Sequence, residues 1–197
     1  MTHSTKCGDE VFFRDGDLIK IGLTIVEAMP YIRDALMSGV VFVAGFPPCT
    51  DVAVSGTRWW ADKMSKDRYF QAKAALVAEQ CRMIGEMSGA PWFFENPVSA
   101  FSKIFNKPNH YFQPHWFTGY HADDNYTKKT CLWTGGGFIM PEPFENKELG
   151  PPDDRIHKCP PGPDRMNIRS ATPYGFAQAV FHVNKGTSVK GKKILLD

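Results

Sequence analysis

Apolar and polar residues are arranged in blocks that predict a strand, a helix and a second strand in the first half of the chain. Residues 40–44 are a continuous β-branched and aromatic run, which is typical of a strand buried on both faces. From residue 66 to 87 the apolar positions recur every three or four residues, which predicts an amphipathic helix that Gly89 ends. Residues 92–94 predict the returning strand. This order predicts two neighbouring parallel strands joined by a helix.

The second half of the chain is less regular. Residues 107–125 and 141–163 have the composition of loops, and residues 130–133 between them predict one short strand. Thr172 and Pro173 predict the start of a helix that continues to about Val183, since a capping hydroxyl followed by proline is typical of a helix start.

The predicted elements indicate a single domain followed by a short tail. We expect an α/β domain over residues 1–184, with a mostly parallel sheet, and a polar basic tail over residues 185–197 that could contact phosphate.

Composition narrows the class of protein. The chain has 197 residues, of which 43% are hydrophobic, enough for one compact core. A net charge of +2 neither requires nor excludes a nucleic-acid partner. Five cysteines without a Cys-x-x-Cys pair, and histidines without ligand spacing, argue against disulfides and a metal site. The absence of a leader pattern and of a long apolar run predicts a cytoplasmic protein without a membrane partner.

Two reactive side chains stand where the two predicted parallel strands end. Cys49 follows two prolines after the first strand, and Glu95 directly follows the second. We expect them to meet, because functional residues of open α/β sheets gather at the carboxyl ends of the strands. A thiolate can add to carbon 6 of cytosine while a carboxylic acid stabilises the charge that develops near ring nitrogen 3. Carbon 5 then behaves as an enamine carbon, so the pair suits modification of a pyrimidine at carbon 5.

Four short segments occur in order along the chain: Pro-Pro-Cys-Thr at 47–50, Glu-Asn-Pro-Val at 95–98, Lys-Lys-Thr-Cys-Leu-Trp at 128–133 and Arg-Ser-Ala-Thr-Pro at 169–173. Together they resemble the motifs of the cytosine-5 DNA methyltransferases, above all the small phage-encoded members. The resemblance implies a Rossmann-like methyltransferase-type fold.

The resemblance also implies roles for individual residues. Cys49 would be the covalent nucleophile, Glu95 the acid at nitrogen 3, and Asn96 a residue that orders the glutamate loop. Lys129 stands roughly where the family carries an arginine that steadies the target base and the nucleophile loop.

Substrate contacts are also expected from residues outside the four motifs. Ser55, just beyond the nucleophile, is expected at the mouth of the pocket. Arg165 and Arg169 lie in a proline-rich segment and could bind phosphate groups of the substrate.

The cofactor region departs from the family pattern. The family binds S-adenosylmethionine with a Phe-x-Gly-x-Gly loop before the cysteine strand, and none of the 46 residues before Pro47 forms such a turn. By resemblance Asp17, Phe46 and Pro48 remain as candidate cofactor contacts. We therefore expect a sheet truncated at its cofactor-binding edge.

Three functions stay open at this point. The chain could be a cytosine-5 DNA methyltransferase, or the catalytic subunit of one, with a second subunit carrying the cofactor motif. It could act without S-adenosylmethionine on a 5-substituted pyrimidine, in DNA or as a free nucleotide. It could also be a non-catalytic remnant that binds nucleic acid or protein, although the presence of both Cys49 and Glu95 disfavours this. A phage-encoded protein of this kind would work in the host cell cytoplasm.

Overall fold

The computed structural model describes residues 12–16 and 18–185, so Asp17 and the tail beyond Lys185 lie outside the described residues. The strands of the described part are β1 (Phe12–Asp15), β2 (Leu18–Ile21), β3 (Val43–Gly45), β4 (Trp92–Pro97), β5 (His110–Phe112) and β6 (Thr130–Gly135). Its α-helices are α1 (Met29–Met37), α2 (Trp60–Lys66), α3 (Phe70–Ser88), α4 (Phe101–Ile104), α5 (Arg155–Lys158), α6 (Arg165–Ser170) and α7 (Tyr174–Asn184).

The main sheet has four strands in the order β3-β4-β6-β5. β3 and β4 are parallel and are joined through α3, which confirms the predicted strand, helix and strand unit. The other two pairs are antiparallel, so the fold is mixed α/β but the expected mostly parallel sheet is not confirmed. The reason lies in the connections: β6 returns beside β5 through loops, and antiparallel neighbours need no crossover helix. β1 and β2 form a separate hairpin.

The sheet has helices and aromatic side chains on both faces. Because side chains alternate along a strand, Phe93 and Phe94 point to opposite faces. Phe94 packs in the cluster that includes α3 and stacks on Trp133, with ring centroids 5.0 Å apart. Phe93 packs in the cluster that includes α7, where Phe176 also lies. The two buried clusters fix the β4 register, and with it the direction in which Glu95 and Asn96 point.

The predicted helix over residues 66–87 is confirmed as α3 (Phe70–Ser88), but it begins four residues later than predicted. α2 ends at Lys66 and α3 begins at Phe70, with a turn between them. The Asp67 carboxylate accepts a hydrogen bond from the Tyr69 N–H at 2.9 Å, and its carbonyl accepts one from the Phe70 N–H at 3.1 Å. An aspartate that bonds the backbone two residues on favours such a turn over continuous helix. Gly89, at φ +65°, ends α3 as predicted.

The helix near the end of the chain is confirmed, but its N-terminus is satisfied differently from the prediction. Instead of a Thr172 cap, the Asp124 carboxylate accepts a hydrogen bond from the Gly175 N–H at 2.7 Å. A distant acid thus anchors α7 to the loop that precedes β6. Among the described residues, no helix combines the length and the apolar composition needed to cross a membrane.

The end of β3 is packed too tightly to accept a side chain at Gly45. A Cβ there would lie 2.6 Å from the Cys81 Cβ and 3.2 Å from the Phe94 Cβ. We expect Gly45→Ala to lower the free energy of unfolding by about 1–3 kcal/mol through overpacking. Gly162→Ala, at a position with open space, is the control and should change it by less than about 0.5 kcal/mol. Urea titration of both variants is the test, and equal midpoints would contradict this packing.

Candidate active site

The segment that follows β3 places Cys49 in a turn held by its own carbonyl group. The Cys49 carbonyl accepts hydrogen bonds from the N–H groups of Val52, at 3.1 Å, and Ala53, at 2.9 Å. Pro47 and Pro48 precede the cysteine and restrict the backbone further. The thiol is half-buried at the carboxyl end of β3, as the sequence predicts.

Backbone bonds tie this turn to the segment that follows β4. The Val54 N–H donates to the Val98 carbonyl at 3.0 Å, and the Ala100 N–H donates to the Val52 carbonyl at 2.9 Å. The Asn96 side chain adds a third link, since its Nδ2 donates to the Pro47 carbonyl at 3.0 Å. Asn96 is 1% exposed, so this bond is shielded from water. The turn that carries Cys49, called the Cys49 turn below, and the end of β4 therefore form one structural unit.

Glu95 lies within β4, in register with Leu132 of β6. Burial raises the pKa of its carboxyl, and the Lys128 ammonium partly opposes the shift. A carboxyl with a raised pKa can stay protonated closer to neutrality and can donate a proton to a bound ring. Glu95 thus has the electrostatic character of a general acid.

Lys128 is the residue of this site that the sequence analysis missed. Its side chain is only 9% exposed, and its ammonium donates to the Ala171 carbonyl at 2.9 Å. Its backbone N–H donates to the Gln113 side chain at 2.8 Å. Burial lowers the pKa of Lys128, whereas Glu95 and Cys49 raise it. Two adjacent lysines, Lys128 and Lys129, precede β6. Because successive side chains of an extended segment point in opposite directions, the sequence could have indicated that only one of them lies near Glu95.

The Lys129 side chain lies against the neighbouring strand β5. Its ammonium lies 4.7 Å from the centroid of the Tyr111 ring, on the neighbouring strand β5, and the residue is exposed. Its predicted role in steadying the base is therefore not supported by this contact, and the cation that interacts with Glu95 and Cys49 is Lys128.

The Cys49 thiol is affected by groups from three elements. Burial and the nearby Glu95 raise its pKa, while Lys128 and Arg169 lower it. Arg169 belongs to α6, one turn after Arg165, and both are partly buried. The structure thus brings together four charged or ionisable side chains: Cys49, Glu95, Lys128 and Arg169.

The other cysteines in the sheet region lack this combination. Burial raises the pKa of Cys81 to about 11 and that of Cys131 to about 11. The thiolate is the nucleophilic form of cysteine, so both are poor nucleophiles near neutrality. Burial raises the pKa of Cys49 as well, but two cations, Lys128 and Arg169, oppose that shift.

The remaining predicted contacts are more dispersed. Ser55 is exposed in the helical turn Val54–Trp59, which directly follows the Cys49 turn. Phe46 packs edge-on against Phe93, with ring centroids 5.8 Å apart, and also borders a cavity with Pro48.

That cavity, of about 260 Å³, adjoins β3, one of the two edge strands of the four-stranded sheet in the described part of the chain. Its walls are residues 23–26, residues 43–48, Val77, Gln80, Cys81 and Ile84. None of these wall residues is acidic or basic. S-adenosylmethionine carries ribose hydroxyls and an ammonium group, which acidic side chains commonly bind. The described walls therefore do not fit this cofactor.

The described residues also contain no group of three or more histidine, cysteine, aspartate or glutamate side chains that could hold a metal ion. Comparisons of this chain with protein-family models, with curated proteins and with solved structures found no match. The site is therefore interpreted from its own residues.

The two adjacent lysines provide a matched test of the electrostatics. Lys128→Met removes a cation that favours the Cys49 thiolate, so the pKa of the thiol should rise further and alkylation by iodoacetamide should slow, by about tenfold for each unit of pKa. Mass spectrometry of the Cys49 peptide across a pH series measures this.

Lys129→Met is the control and should leave the alkylation profile unchanged, while Lys128→Arg should preserve most of the wild-type rate. Equal profiles for Lys128→Met and Lys129→Met would show that Lys128 does not act on Cys49.

Proposed function

We propose that this protein modifies pyrimidines at carbon 5 through a covalent adduct between Cys49 and carbon 6 of the ring. The observation that carries the proposal is the joining of the Cys49 turn to the end of the Glu95 strand, beside the buried ammonium of Lys128. A thiol nucleophile, a protonated carboxyl and a cation are the groups that this reaction uses.

The proposed reaction begins with addition of the Cys49 thiolate to the ring and ends with its release. The Cys49 thiolate forms a bond to carbon 6, and Glu95 donates its proton to nitrogen 3. Carbon 5 becomes nucleophilic and takes up an electrophile. A water molecule then takes the carbon 5 proton, the electrons of that C–H bond restore the double bond between carbons 5 and 6 and expel the thiolate, and the nitrogen 3 proton returns to Glu95. Lys128 and Arg169 stabilise the thiolate form of Cys49 before addition and after release.

The group transferred to carbon 5 must come from a second reactant. In the family that the chain resembles it comes from S-adenosylmethionine, and a second subunit carrying the cofactor motif would supply it here. The uncharged cavity beside β3 favours a second candidate, in which the same machinery acts without this cofactor on a 5-substituted pyrimidine. Both candidates require the Cys49 adduct, so the adduct is tested first.

Exchange of the carbon 5 hydrogen tests adduct formation without any co-substrate. When a thiolate adds to carbon 6 in D₂O, carbon 5 takes up a deuteron and then releases a proton, so deuterium appears in the recovered cytosine. We expect the wild type to catalyse this exchange and Cys49→Ala to abolish it. Glu95→Gln should slow it by a factor on the order of 10²–10⁴, the usual range for a general acid.

Cys159→Ala is the matched control, because Cys159 is a buried cysteine in the loop after α5, and it should exchange at the wild-type rate. Mass spectrometry of the recovered nucleoside is the readout. Exchange that persists in Cys49→Ala would refute covalent catalysis by this residue.

Glu95→Gln should affect two reactions of the same thiol in opposite directions. At a pH above its own raised pKa, Glu95 is ionised and its carboxylate raises the pKa of Cys49. Replacement by a neutral amide should therefore lower the pKa of Cys49 and speed alkylation by iodoacetamide at a fixed pH in that range. The same variant should slow carbon 5 exchange, because the ring loses its proton donor. Parallel loss of both reactivities would indicate damage to the turn rather than loss of an acid.

A further inference from the structure

The exposed surface around α2 carries two arginine and aromatic pairs. The Arg58 guanidinium lies 5.1 Å from the ring centroid of Trp59, and that of Arg68 lies 5.3 Å from the ring centroid of Tyr69. Trp59 is 55% exposed and Tyr69 is 59% exposed. We call these four residues the α2 surface; one pair precedes α2 and the other follows it. Large aromatic rings at this exposure bury little area in the fold, so packing alone does not explain them.

In the segment around α2, residues 50–75, the acidic side chains pair with lysines and not with the two arginines. Its three acids, within residues 50–75, each pair with a lysine: Asp51 with Lys63, Asp62 with Lys66 and Asp67 with Lys73. Neither arginine has a carboxylate partner among the described residues. The α2 surface therefore presents two uncompensated cations, each beside an exposed ring.

Hydrogen bonds also join α2 to the Cys49 turn. The Lys63 ammonium donates to the Thr50 carbonyl at 2.9 Å and to the Asp51 carboxylate at 2.6 Å. A Cβ built at Gly56 would lie 3.8 Å from the Thr50 carbonyl oxygen, which places the turn that leads to Trp59 against the residue after Cys49. A ligand on the α2 surface would thus lie next to the turn that carries Cys49.

We infer that the α2 surface binds single-stranded nucleic acid, with unpaired bases next to the target pyrimidine stacking on Trp59 and Tyr69. Exposed aromatic rings with neighbouring cations are the features that bind single strands, because each base has a face to stack and each nucleotide a phosphate to neutralise. Paired bases in a duplex cannot reach these rings. The inference rests on the proposed function, since it names the substrate class of that site as a polynucleotide rather than a free nucleotide.

Fluorescence anisotropy with a labelled single strand of about 12 nucleotides, within the usual site size, tests the inference. We expect Trp59→Ala to weaken binding by about 5-fold to 150-fold, the usual effect of removing one stacking residue. Arg58→Ala should reduce the slope of log affinity against log salt by about 0.7, the value for one phosphate contact to a single strand.

Tyr111→Thr provides the control, because Tyr111 is a 42% exposed ring with a cation over it on β5, away from α2. It should bind the single strand like the wild type. A duplex of the same sequence and free deoxycytidine monophosphate should compete weakly, and the affinity for the monophosphate should be the same in Trp59→Ala. DNA and RNA strands of one sequence identify which sugar is preferred.

Absence of single-strand binding, an unchanged affinity in Trp59→Ala, or equal competition by the monophosphate would each overturn the inference. Binding needs no chemistry at carbon 5, so it is measured in Cys49→Ala as well. Binding that depends on Trp59, together with an absence of carbon 5 exchange, would support single-strand binding by the α2 surface and refute the catalytic proposal. Exchange on the free monophosphate without strand binding would support the catalytic proposal and refute single-strand binding.

Discussion

The pairing between the chain segments that follow β3 and β4 is the constraint on which the candidate site depends. Two backbone hydrogen bonds and the buried Asn96 to Pro47 bond fix the Cys49 turn to the strand that carries Glu95. Because both strands run in parallel within one sheet, their carboxyl ends lie at the same edge of that sheet. Cys49 is thus positioned by a short turn after β3 that is hydrogen-bonded to the segment after β4. This arrangement fixes the backbone positions of Cys49 and Glu95 relative to each other.

Burial sets the electrostatic behaviour of this unit. A buried carboxyl, thiol and ammonium each resist ionisation, so the pKa values of Glu95 and Cys49 rise while that of Lys128 falls. Their mutual interactions oppose these shifts where the charges are opposite. Lys128 therefore favours the thiolate form of Cys49 against the effect of burial, and burial favours the protonated form of Glu95. Removing one member changes the other two, which is why the paired reactivity measurements are informative.

The sequence predicted the parts of the fold that depend on local patterns. The β3, α3 and β4 unit, the β6 strand and the α7 helix follow from apolar spacing and from residues that end helices. The orientation of β6 did not follow, because strand direction depends on connections that irregular loops do not reveal. The start of α3 was predicted at residue 66, four residues before Phe70, because apolar spacing does not reveal the turn that the Asp67 carboxylate stabilises. Cys49 and Glu95 were located from strand ends. Lys128 was not chosen over Lys129, because the choice between adjacent residues depends on the side of the sheet to which each side chain points.

A single strand that contains one 5-azacytosine tests covalent addition most directly. In this ring a nitrogen replaces carbon 5, so thiolate addition at carbon 6 is completed by protonation of that nitrogen and requires no second substrate. Intact-mass analysis after incubation should find a species equal to protein plus oligonucleotide, with the bond mapped to Cys49 and absent in Cys49→Ala. A wild-type protein that binds the strand but gives no adduct, or an adduct mapped to another cysteine, would contradict the proposal that Cys49 is the nucleophile.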